Sequence, residues 1–63
     1  MPEVEIAEAL AGWWRYFLVA AYSPNLQARP FSAFDPEGFR AFNSLSADRR
    51  FLVFRAATTL MEI

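Results

Sequence analysis

Residues 8–24, EALAGWWRYFLVAAYSP, decide how this chain begins to fold. On a wheel of about 100° per residue, Ile6, Leu10, Trp13, Trp14, Phe17, Leu18 and Ala21 fall in one arc. Glu5, Glu8, Gly12, Arg15 and Tyr16 fall on the opposite side, the pattern of an amphipathic helix. Glu3, Glu5 and Glu8 complement the positive end of a helix dipole, and Pro2 is tolerated in a first turn. The helix is therefore expected to run from Pro2 or Glu3 to Tyr22. It must stop near Ser23, because Pro24 has no amide donor and disfavours helical geometry in the residue before it. The aromatic run at 12–17, GWWRYF, is divided by this wheel. Adjacent side chains stand about 100° apart, so Trp13 and Trp14 cannot both point to the centre of one contact face. Trp13 is expected in the core with Phe17. Trp14 is expected at the rim, facing a subunit or partner, where tryptophan is common among energetic hot spots.

Downstream, residues 23–35 (SPNLQARPFSAFD) have neither a helical nor an alternating period. Pro24 and Pro30 stiffen this segment, and Leu26, Phe31 and Phe34 anchor it. The two phenylalanines either plug the end of the core or form a recognition loop that presents Phe31 and Phe34 to a partner. A second helix starts at Asp35-Pro36-Glu37, which supplies a cap, a first-position proline and a first-turn acid. Phe39 and Phe42 give it a short apolar face ending near Asn43, with a turn over Asn43–Ser46. Ser46 can cap a third helix that continues nearly to the carboxyl terminus. Its polar face is narrow (Asp48, Arg55, Thr59, Glu62). Its apolar arc holds Leu52, Val53, Phe54, Ala56, Ala57, Leu60, Met61 and Ile63, with Phe51 just beyond the edge. So wide an arc calls for neighbours on more than one side, and two sister helices, one barely two turns long, cannot cover it.

Composition sharpens that expectation. The chain has 63 residues, of which 56% are hydrophobic and 17% aromatic. Ordinary domains carry about 45–50% apolar residues. A single domain of this size buries only about 60% of its unfolded surface. With no cysteine there is no disulfide staple, and with no histidine or cysteine the commonest metal ligands are missing. Helix packing and association remain as the routes to stability. All six basic residues are arginine, a side chain suited to interfaces. Net charge is −1, but it is unevenly spread. Residues 1–37 hold five acids against two arginines (−3), whereas residues 38–63 hold four arginines against two acids (+2).

Catalytic chemistry finds no footing. The four serines have no histidine or lysine to activate them, and the acids have helix-start and capping explanations. Isolated Gly12 and Gly38 cannot make a phosphate loop. Neither enzyme activity nor a cofactor, metal or small-molecule substrate is expected. A short helix, a tight turn and a longer helix opening with Asp48-Arg49-Arg50 has the outline of a helix-turn-helix, which would make the chain a dimeric DNA binder. The acidic net charge and missing lysine argue against it, since phosphate contacts need several cations. Arg49 and Arg50 could instead pair with acids of the first helix, within the chain or across a dimer. A peripheral membrane role for the first helix is opposed by Glu5 and Glu8 on its polar face. The 14 apolar-rich residues Ala9–Tyr22 are too few for a span of about 20, and no signal peptide is evident, so a cytoplasmic location is expected.

The sequence thus predicts one all-α domain over residues 1–63, a small three-helix domain in which an aromatic loop follows the long first helix. The first and third helices are expected to pack antiparallel. The expected core is Ile6, Leu10, Trp13, Phe17, Phe39, Phe42, Val53, Ala57 and Leu60. The expected function is protein–protein interaction, as an inhibitor or adaptor or as an accessory subunit of a larger complex, with self-association into a homo-oligomer an accompanying possibility. Trp14, Phe31, Phe34, Arg49, Arg50 and Phe51 are the candidate partner-binding residues.

Overall fold

A computed structural model describes residues 2–62; the expected place of Ile63 in the last helix lies outside them. Helix α1 runs Glu3–Tyr22 and ends at Ser23, where Pro24 requires it to. Its buried residues are Ile6, Ala7, Leu10, Ala11 and Ala20, with Trp13 and Phe17 half-buried beside them. The buried stripe is therefore turned towards the alanines, and Leu18 and Ala21, both expected in the stripe, are exposed. The cause lies in the neighbour across from them, described below.

The chain returns along α1 through an extended segment. Tyr16 donates its hydroxyl to the Gln27 carbonyl, and the Trp13 indole N–H donates to the Arg29 carbonyl at 2.6 Å. These bonds fasten carbonyls that have no secondary-structure partner. From Tyr22 back to Trp13 the segment retraces about 14 Å of the α1 axis. The expected aromatic loop then contains a helical turn. In α2, Phe31–Phe34, the Pro30 carbonyl accepts from the amides of Ala33 and Phe34, each at 3.0 Å. Helix α3, Pro36–Ser44, follows at once; Asp35 caps it by accepting from the Gly38 amide at 3.0 Å. Gly38 is buried where α3 meets Ala9 of α1. Phe42 lies one turn on from Gly38 and is half-buried against the core. Phe39, expected in the core, is exposed: it stands about 100° from Gly38 and meets Phe31 only edge-on.

Leu45 and Ser46 alone connect α3 to α4, Ala47–Met61, because α3 runs one residue past its expected end at Asn43 and takes in Ser44. Ser46 caps α4 by accepting from the Arg49 amide. Val53 and Ala57 face Ile6, Ala7, Leu10 and Ala11 of α1, and together with Phe31 they form the buried core. Trp13, Phe42 and Leu60 pack against its edge.

The expected antiparallel packing of the two long helices is overturned. Arg49, at the start of α4, pairs with Glu3 at the start of α1, and Arg15 reaches the Leu60 carbonyl at the end of α4 (2.7 Å). The helices run in the same direction. The extended segment, α2 and α3 together make the return pass, so α4 begins where α1 began. Because α4 ends alongside Trp14 and Arg15, the last turns of α1 outrun it. Leu18, Val19 and Tyr22 are exposed for that reason.

Helix α1 is central: it packs against both α4 and α3, while α3 and α4 barely touch each other. The molecule is flat, 36 × 25 × 16 Å. Its radius of gyration is 11.8 Å, against about 10.6 Å for a typical compact chain of this length.

Candidate apolar binding groove

A groove of about 340 Å³ opens between α1 and α4. Leu10 and Ala57, both buried, lie deepest. Trp13 and Trp14 line the α1 side; Phe54, Thr58 and Met61 line the α4 side. Helical spacing places them there: Leu10, Trp13 and Trp14 recur at three and four residues, as do Phe54, Ala57, Thr58 and Met61. The parallel arrangement of the two helices brings the sets to the same level.

The lining is almost wholly apolar, and the polar groups of Thr58 and Trp13 are already occupied. The Thr58 hydroxyl donates to the Arg55 carbonyl at 2.7 Å. The Trp13 N–H is held by Arg29. The indole of Trp14 stacks on Phe17, ring centroids 5.3 Å apart and planes within 9°, which stiffens one lip. Trp14 is 37% exposed and Phe54 is 55% exposed, so both lips reach solvent. Leu18, one turn beyond Trp14, extends the apolar strip past the groove. Such a surface can take up large apolar side chains and offers no acid, base or ion to a reaction.

The residues expected to bind a partner are scattered rather than gathered. Trp14 lies on the rim of the groove. Phe31 is corrected from a presented side chain to a core one: it is 7% exposed, covered by Trp13, Phe39 and Phe42. Phe34 is exposed but lies apart, stacked on Tyr16 at 5.2 Å. Arg49 is held by Glu3, the pairing with a first-helix acid considered above. Arg50 is half-buried, and Phe51 is exposed on α4. Sequence reasoning placed Phe54 and Met61 in the apolar arc of the last helix without singling them out as binding residues. The width of that arc was the signal. Among the described residues, no helix is long and apolar enough to cross a membrane.

Compared with known protein families, with curated proteins and with solved structures, the chain matches none.

Proposed function

We propose that this chain acts by binding another protein, with the groove between α1 and α4 receiving apolar side chains of an amphipathic segment. The observation that carries this reading is the apolar strip of Leu18, Trp14, Met61 and Phe54 around a groove whose lining is almost wholly apolar. A helix laid in such a groove docks large side chains at three- and four-residue spacing. The accessible surface, 4664 Å², supports it. A compact monomer of this mass exposes about 4,100 Å², so this flat molecule leaves more surface uncovered than folding alone would. The strip continues past the groove to Leu18, a longer footprint than a small ligand confined to 340 Å³ would need. The role is that of an inhibitor, adaptor or accessory subunit rather than an enzyme.

The test is a pull-down from the native host with the intact chain, run beside the Phe54→Asp and Trp14→Ala variants. Both should keep their helical circular dichroism and lose the protein that the unaltered chain retains. A partner held equally by all three chains would remove the groove from the account.

A further inference from the structure

Helix α4 is an edge helix. Its inner side meets α1 through Val53 and Ala57, and α3 barely reaches it. Helical spacing collects Asp48, Phe51, Leu52 and Arg55 on the outer side, at i, i+3, i+4 and i+7. All four are exposed, Phe51 to 60% and Leu52 to 56%. Two large apolar side chains thus sit between an acid and a base. The one ion pair among the described residues joins Arg49 to Glu3, so it uses neither Asp48 nor Arg55.

We infer that a second copy of this chain covers this face, α4 lying antiparallel on the partner's α4 about a two-fold axis between Phe51 and Leu52. A closed two-fold pairing places residue i against j and j against i. About this axis Phe51 meets the partner's Leu52, and Asp48 meets the partner's Arg55, each contact made twice. Charge selects the arrangement. A parallel in-register pair would set Asp48 against the partner's Asp48 and Arg55 against the partner's Arg55. An antiparallel pair centred on Arg55 would overlap further, but it places two arginines at its centre and Asp48 against the partner's Glu62. Like charges held together across an interface are strongly disfavoured. The selected register overlaps over roughly ten residues, about 15 Å of helix. That is a small interface beside the usual ~800 Å² per partner, so the dimer is weak and salt-sensitive. Phe54 stands about 60° from Phe51 and about 100° from Arg55 around α4, at the border between this face and the groove, whose floor of Leu10 and Ala57 lies towards α1. The inference rests on the outer face of α4 and not on the partner proposed for that groove.

Charge reversal tests it by sedimentation equilibrium at high micromolar concentration and low salt. The unaltered chain should approach twice its 7.2 kDa mass. Asp48→Arg alone and Arg55→Asp alone should each weaken association by about tenfold or more, because each sets two like-charged pairs across the axis. An equimolar mixture of the two single variants should associate again, since the heterodimer regains two opposite-charge pairs. The double variant D48R/R55D should pair with itself for the same reason. Circular dichroism establishes that each variant is folded; Arg55→Asp lies inside α4, away from the capped first turn, and carries the test if Asp48→Arg loosens that turn. A monomer at every concentration overturns the inference. So does a dimer indifferent to Arg55→Asp, or a mixture of folded single variants that stays monomeric.

Discussion

At the residue scale, the aromatic run at 12–17 has divided tasks, and wheel position accounts for only some of them. Trp13 packs on Phe31 with ring centroids 5.7 Å apart and also holds the Arg29 carbonyl. Trp14 lines the groove on a stacked Phe17. Arg15 and Tyr16 lie on the side of the wheel opposite the apolar arc, yet both make long-range bonds. Tyr16 fastens Gln27, and Arg15 supplies a cation to the carboxyl end of α4, whose own last turn has no basic residue. Trp13→Ala should therefore cost about 3 kcal/mol, the low end for an aromatic truncation because the ring is only half-buried. Trp13→Phe should recover the packing but not the bond to Arg29, separating the two contributions in chemical denaturation. Trp14→Ala should cost only about 1 kcal/mol, the scale of one aromatic stack, and leave the fold intact. Equal loss of stability at both tryptophans would contradict this division.

At the element scale, the two glycines have opposite meanings. A Cβ on Gly12 would meet nothing within 4 Å, so Gly12 is a plain entropic weakness in the middle of α1. Gly12→Ala should stabilise the chain by roughly 0.5–1 kcal/mol. A Cβ on Gly38 would stand 2.8 Å from the Asp35 carboxylate that caps α3 and 3.2 Å from the Ala9 Cβ. Gly38→Ala should destabilise despite alanine's better helix propensity, because it displaces the cap and separates α3 from α1; a net loss of about 1 kcal/mol is expected. Thermal unfolding of the two variants side by side checks both signs. The Arg49–Glu3 pair joins the starts of α4 and α1 but is solvent-exposed. Arg49→Gln should cost less than about 1 kcal/mol, and that small loss should disappear in high salt.

At the scale of the whole molecule, a single layer with α1 in the middle cannot enclose the apolar arc of α4. Val53 and Ala57 are buried, whereas Phe51, Leu52 and Phe54 are not. Burying Phe51 and Leu52 against a second copy would add stability that the monomer lacks, and association of the folded state raises its melting temperature. The melting temperature should therefore rise with protein concentration in low salt, and the rise should be absent in Arg55→Asp. A melting temperature independent of concentration in the unaltered chain would count against self-association.

Sequence alone determined the three longer helices and most of their ends. Pro24 stops α1, Asp35 and Ser46 cap α3 and α4 through their own side chains, and Ile6, Leu10, Val53 and Ala57 lie in the core as their spacing requires. These features are legible because they depend on residues three or four apart. The short turn α2 was hidden because four residues are too few to show a period. The excess of apolar surface on the last helix was visible as a wide arc, but not the groove into which part of it opens. Tertiary structure decided the direction of α4, since that depends on how far the irregular return segment travels before the next helix starts. The Trp13 and Tyr16 bonds set that distance, and they join residues 16 and 11 positions apart. Once α4 runs parallel to α1, Phe54 and Met61 come level with the tryptophans and form the groove, while Asp48, Phe51, Leu52 and Arg55 are left on the outer edge. No periodicity within one helix carries that information, because it is the path between helices that fixes which faces meet.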